Sequence, residues 1–413
     1  MKVFKFGGAS VKDPDAIRNM ASIVKSNDTA NLLIVISAMG KTTNALERIL
    51  GLYRIGKSFE KEFSELRSYH FNLLTELFYK DHAVFKVIED QFTKIQTEVK
   101  QVGEYDLVYD QVVSLGEVIS TLIIAHFLEQ EELAVQWVDA RTMIRTDENF
   151  REAKVDWGIS KTNIQTLTSL LSNNILITQG FIGSTKEGLT TTLGREGSDY
   201  TAAIFASCLK AESVTIWKDV PGVMNADPKR LPTAVVFAEL PFKEAAEMTY
   251  YGASVIHPKT IKPLANNGIP LLVKNFDNPS LPGTVIKETT LDRIPPLIVF
   301  KDNQCLISCK VTDYSFINEE QLGIIFRTLS ELHIKINLMQ NSAISFSLCV
   351  DYREDKILKL IDQLGRYFEV YYNTGLTLIT IKNYDQQIFQ EYRQRKGVIL
   401  EQSSRSTLQV LIK

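Results

Sequence analysis

Lys5, Arg195 and Asp199 are the residues best placed to do chemistry, because each belongs to an element that carries a glycine-bearing turn. Lys5 lies in Lys2-Val3-Phe4-Lys5-Phe6, which runs directly into Gly7-Gly8-Ala9-Ser10. Arg195 and Asp199 lie in Gly194-Arg195-Glu196-Gly197-Ser198-Asp199, which follows the strand-like run Thr190–Leu193. Glycine lets backbone N–H groups approach an anion, and a helix N-terminus adds partial positive charge. Lys5 and Arg195 supply full charges. Two such turns in one chain predict the handling of a nucleoside triphosphate. Phosphoryl transfer needs triphosphate charge neutralised and the acceptor held in line. A carboxylate acceptor is already ionised at neutral pH, with a pKa of about 4, so it needs no general base. The set Lys5, Gly7, Gly8, Ser10, Arg195, Gly197, Ser198 and Asp199 contains no histidine and fits that demand.

The elements that must position these residues alternate along the chain. Val3–Phe6 and Leu32–Ser37 read as strands, and Asp13-Pro14 as the N-cap and first position of a helix over 15–25. Residues 44–101 are mostly helical by their three- and four-residue apolar spacing. Ser114–Glu129 reads as a helix, and Lys186-Glu187-Gly188 as the turn of a hairpin. Helix 198–209 and strand 213–218 follow. This alternation predicts an α/β fold with a mainly parallel sheet. Prolines and glycines over 278–296 mark a boundary. Beyond it a strand–helix–strand–strand pattern occurs nearly twice and stops after Leu411-Ile412, as in small ferredoxin-like α+β units with the second one truncated.

A chain of 413 residues is expected to hold two or three domains. A net charge of -3 gives no basic footprint for nucleic acid. The longest apolar stretches fall short of the ~20 residues that span a bilayer, so no membrane association and a cytoplasmic location are expected. Cysteines 208, 305, 309 and 349 have apolar neighbours, and no His/Cys cluster predicts a metal site. Ser37–Asn44 imitates a phosphate-binding loop, but Val35 stands where that loop needs glycine. Ser114-Leu115-Gly116-Glu117 has the spacing of a capping box.

KFGGAS at the start, TTLGREGSDYTAA and WKDVPGVMNADPK occur in one order, and together they resemble aspartate kinases. The resemblance implies the three-layer, carbamate kinase-like fold of the amino acid kinases over 1–290, and paired ACT modules over 297–413. It implies transfer of the γ-phosphoryl of ATP, with Mg2+, to the side-chain carboxylate of L-aspartate, at the head of lysine, threonine and methionine synthesis. In that reading Lys5 meets the transferring phosphate, and Asp199 orients Lys5 and is a candidate to help hold magnesium. Arg195 clamps the substrate α-carboxylate, Glu117 takes its ammonium, and Thr43, Ser37 and Ser198 line the same site. Lys5, Gly7, Gly8, Ser10, Lys218, Asp219, Met224 and Lys229 surround the nucleotide. Ser254 stands at a position where relatives often have a nucleotide-contacting lysine, and Met224 where they often have tyrosine. Glu196 replaces a neutral residue of many relatives and is expected to point away from the site.

In the tail, Asn337, Gln340 and Asn341 end an apolar strand and are candidates to hold an amino-acid effector, lysine or threonine. The segment Ser315–Glu320 lacks the glycine usual before an ACT helix. Exposed sheet edges in this region predict a homodimer or a dimer of dimers. Two other readings compete: a different amino acid kinase, acting on glutamate or a carbamoyl group, and an effector-binding protein whose kinase site has decayed. The pairing of KFGGAS with GREGSD opposes the first. The presence of Lys5, Glu117, Arg195 and Asp199 opposes the second.

Overall fold

Short runs of apolar residues supply the strands of one mainly parallel sheet. In the computed structural model, which describes residues 1–253, 256–291, 294–313 and 315–413, the chain divides into two compact units. The first consists of Met1–Val223, Val236–Ala246 and Val255–Thr290, and the second of Met224–Val235, Glu247–Ser254 and Leu291–Lys413.

The first unit holds β1 (Lys2–Phe6), β2 (Leu32–Ile36), β3 (Val135–Val138), β4 (Ile175–Gln179), β5 (Ile182–Ser184), β6 (Thr190–Thr192), β7 (Ser213–Lys218), β8 (Glu239–Pro241), β9 (Leu271–Asn275) and β10 (Thr284–Lys287). Eight of them form a sheet in the order β3-β4-β2-β1-β7-β9-β10-β8, parallel except between β9 and β10. β5 and β6 form the expected hairpin. Every residue of β2 and of β4 is buried, as in a parallel sheet covered on both faces. β10 lies inside the stretch expected to be a boundary, because Thr284–Lys287 pairs with both β9 and β8.

β1 is the central strand, between β2 and β7. Side chains alternate along it, so Phe4 and Phe6 enter the core beside Trp217 while Lys5 faces the other way. Gly8 follows because its backbone abuts the 38–40 turn: its carbonyl accepts from Gly40 N–H at 2.9 Å, and a Cβ there would collide with the Ala38 carbonyl. The helix expected over 114–129 spans Tyr105–Gln130. Ser114 is inside it, its hydroxyl donating to the Gln111 carbonyl at 3.0 Å, so the capping-box reading of Ser114 and Glu117 fails. This helix is long and apolar enough to cross a membrane, but most of it is buried in the core.

The second unit contains a six-stranded antiparallel sheet. Its strands are β11 (Leu297–Lys310), β12 (Ile336–Asn341), β13 (Ser345–Asp351), β14 (Glu369–Lys382), β15 (Val398–Ser403) and β16 (Thr407–Ile412), in the order β12-β13-β11-β14-β16-β15. β11 and β14 are twice the expected length, and the register shifts near Gln304. Residues 304–310 pair with β13 in one half of the sheet. Residues 297–301 pair with 378–382, beside β16, in the other. A strand from before the first module thus adds to the half of the sheet that holds β15 and β16. Its core joins Ile298, Ile379, Ile381, Leu408 and Val410 with Ala226.

Candidate active site

Alternation along β1 and the first turn of helix Gly197–Leu209 bring Lys5 and Asp199 together. Lys5 Nζ lies 2.6 Å from Asp199 Oδ1, and Lys218 Nζ, at the end of β7, lies 3.5 Å from Asp199 Oδ2. Lys5 is 8% exposed and Asp199 3%. Burial pushes the Asp199 carboxyl up, but Lys5 and then Lys218 more than offset it, holding the carboxyl below its usual range. A buried ammonium costs much unless it is paired. Asp199 supplies that pairing and fixes two ammonium groups on one side of a cavity.

Two adjoining cavities share Lys5, Gly8 and Lys218 as lining. One, of about 550 Å³, is lined by Ser37, Thr43, Glu117, Arg195 and Ser198, all five residues expected to meet the acceptor. The other, of about 630 Å³, is lined by Gly7, Ser10 and Asp219, all expected to meet the nucleotide. Ser37 comes from the turn after β2 and Thr43 from the first turn of helix Thr42–Arg54, which lies against helix Tyr105–Gln130 at Gly116. A Cβ at Gly116 would stand 3.0 Å from Thr42 Cγ2, so glycine lets the helix carry Glu117 up to this turn. Glu117 is 3% exposed. Burial raises its carboxyl to about 8, against the Ala38 N–H and the charge of Lys5. Its Oε2 has no hydrogen-bond partner.

A match to the amino acid kinase family covers residues 1–275. The chain is 34% identical over 359 residues to lysine-sensitive aspartokinase 3 of Escherichia coli K12, covering 84% of this chain and 78% of that protein. The chain belongs to the amino acid kinase family, among its aspartate kinases. The crystal structure of E. coli aspartokinase III with aspartate and ADP, called R-state, superposes with a TM-score of 0.85 at 30% identity, covering 100% of this chain and 96% of that one. The same enzyme with lysine and aspartate, called T-state, gives 0.83 at 30% identity over the same shares. A bifunctional aspartokinase/homoserine dehydrogenase of Buchnera aphidicola is 28% identical over 391 residues, and the chain spans 47% of its length.

Other features of this aspartate kinase site were not legible in its motifs. Glu196 does not point away: it lines the cavity of Lys5 and Arg195, with Oε2 buried and unpartnered. Burial raises its carboxyl, as does Asp199, while Lys218, Arg195 and Lys5 pull it down. Its backbone is left-handed, φ +53°, which costs a non-glycine residue roughly 1–2 kcal/mol. Arg151 lines the same cavity, its guanidinium 4.4 Å from the Tyr109 ring and 3.3 Å from Asp106. Asp110, fully buried, holds this wall. Its carboxylate accepts from Arg151 N–H at 2.9 Å, Thr192 N–H at 2.8 Å and the Thr192 hydroxyl at 2.7 Å.

Met224 and Lys229 belong to the second unit and line neither cavity. Ser254 lies outside the described residues. Asn337 is engaged within the second unit: it donates to Gln304 at 2.7 Å and Asp351 at 2.8 Å, and accepts from Lys301 at 2.8 Å. Gln340 and Asn341 are exposed at the end of β12, an edge strand. The glycine-free turn before the helix Glu319–Glu331 is closed by a capping box of Asn318 and Gln321. Among the described residues, no group of three or more His, Cys, Asp and Glu is arranged to hold a metal ion.

Proposed function

We propose that this chain transfers the γ-phosphoryl of ATP to the side-chain carboxylate of L-aspartate, giving 4-phospho-L-aspartate, the first step toward lysine, threonine and methionine. The observation that carries the reading is the pair of adjoining cavities joined at Lys5, Gly8 and Lys218. The acceptor occupies the cavity of Glu117 and Arg195, and the nucleotide phosphates the cavity of Gly7, Gly8, Ser10 and Asp219. A relative crystallised with aspartate and ADP, E. coli aspartokinase III, supports this assignment.

Each residue then has a task. Arg195, exposed at the cavity wall, offers two parallel N–H groups to the α-carboxylate. Glu117 offers its unpartnered oxygen to the ammonium. The attacking carboxylate oxygen meets a phosphorus whose equatorial oxygens face Lys5 and Lys218. Charge shifts onto the leaving ADP oxygens as the bond breaks, and fixed ammonium groups stabilise it without reorganising. Mg2+, brought with the nucleotide, would supply further neutralisation of the phosphate charge. The unpartnered carboxylate oxygens in the site are compatible with an added cation.

We assign residues 1–290 to catalysis and 297–413 to regulation by an amino-acid effector, lysine first, as the lysine-bound relative supports. Self-association as a homodimer or a dimer of dimers belongs to the same proposal, since β12 and β15 are the edges of their sheet. Product trapping tests the activity. Hydroxylamine added to the protein with ATP, Mg2+ and L-aspartate should give aspartyl hydroxamate, the signature of an acyl phosphate. ADP formation without hydroxamate would sink the assignment of the carboxylate as acceptor.

A further inference from the structure

Three carboxylates line the acceptor cavity, and they are not equivalent. Both oxygens of Asp199 face lysines, at 2.6 and 3.5 Å. Glu117, from helix Tyr105–Gln130, keeps one buried oxygen without a partner, and the proposed substrate ammonium meets it. Glu196 keeps another buried oxygen without a partner, and no role proposed so far uses it. The charges acting on Glu196 are Lys218, Asp199, Arg195 and Lys5. Glu196 lines the acceptor cavity together with Lys5 and Lys218, the two lysines that also line the nucleotide cavity, where the proposed phosphoryl transfer takes place.

The residue type is also costly at this position. With φ +53°, Gly or Asn would fit with less strain than Glu. A strained backbone and a buried oxygen without a donor gain nothing in the ligand-free protein. They are compensated if a cation arrives opposite Oε2. The lysine ammonium groups nearby face Asp199, the Arg195 guanidinium is assigned to the substrate α-carboxylate, and the substrate ammonium has Glu117. The cation left is the one that travels with the triphosphate. Mg2+ is held through one or two carboxylates plus phosphate oxygens and water, so a single glutamate suffices.

We propose that Glu196 is a direct protein ligand of the divalent ion accompanying the nucleotide. This inference rests on the reading of the site as a nucleotide-dependent kinase. Its sign separates it from the plain electrostatic alternative. If Glu196 only repels anions, removing its charge tightens nucleotide binding with or without metal. If it is a metal ligand, removing it weakens binding only when metal is present.

The experiment is calorimetric titration of the full chain with the β,γ-imido analogue of ATP, with Mg2+ and with EDTA, for wild type, Glu196→Gln and Glu196→Asn. Asparagine suits the left-handed backbone and guards against a folding defect in the glutamine variant. Both variants are expected to lose affinity for the Mg2+ complex by about tenfold or more. With EDTA they are expected to bind as tightly as wild type or more tightly. Equal or tighter binding of the Mg2+ complex by the variants would overturn the inference while leaving the kinase reading intact. Failure of wild type to bind the analogue under either condition would overturn both.

Discussion

Lys5 stands on a buried strand with its ammonium held against Asp199, so it is oriented before any ligand arrives. Removing a preorganised charge of this kind costs roughly 3–4 kcal/mol of transition-state stabilisation. Lys5→Ala is therefore expected to lower turnover about 10²–10³-fold in a coupled ADP assay. Glu117 makes a prediction of a different sort. Its carboxyl is raised from 4.5 to about 8 by burial, so the folded protein keeps a proton that the unfolded chain releases in that window. Stability of the ligand-free protein should fall as pH rises through the window, because the unfolded chain binds fewer protons there. Asp110, raised by burial to about 6, adds a fall of the same sign over the lower part of the range. Melting temperatures between pH 5 and 8 check this: Glu117→Gln should flatten the wild-type decline. An identical slope in the variant would show that Glu117 is not the titrating group.

At the scale of elements, Asp110 ties three parts of the cavity wall together: helix Tyr105–Gln130, β6 and the segment at Arg151. Asp110→Ala strands the buried N–H and hydroxyl of Thr192 and the partly buried N–H of Arg151, and is expected to destabilise the protein by about 3 kcal/mol in urea unfolding. The strands β1–β4, β7 and β9 and most helices were legible in the sequence because their apolar patterning is strong, whereas the short β8 and β10 at the sheet's end were not. Lys5, Glu117, Arg195 and Asp199 were legible because they sit in short motifs. Arg151, Tyr109 and Asp110 were not. They occupy a helix interior and a connecting segment, and only tertiary contact brings them to β6. The helix start at Tyr105 was hidden by Ser114 and Glu117, whose spacing imitates a cap although Ser114 bonds back inside the helix. Glu196 was misread because its left-handed backbone, which turns the side chain into the cavity, leaves no mark in residue order.

Over the whole molecule, the sheet of the second unit joins two similar halves through long strands β11 and β14. Its polar centre, Lys301, Gln304, Asn337 and Asp351, is closed by its own hydrogen bonds. An effector reaching Asn337 must displace one of those partners, whereas Gln340 and Asn341 are open at the edge. Such a ligand can alter turnover only by binding active and inactive arrangements with different affinity. That regulation presupposes the catalytic claim, which one measurement tests most directly. ADP release from ATP and Mg2+ should be followed with the full chain, comparing L-aspartate with L-glutamate. The account predicts ADP release dependent on L-aspartate, with L-glutamate near background: with the α-carboxylate and α-ammonium held at Arg195 and Glu117 as proposed, a side chain one methylene longer carries its carboxylate out of register with Lys5 and Lys218. Release no faster with L-aspartate than without an acceptor, or a preference for L-glutamate, would contradict it.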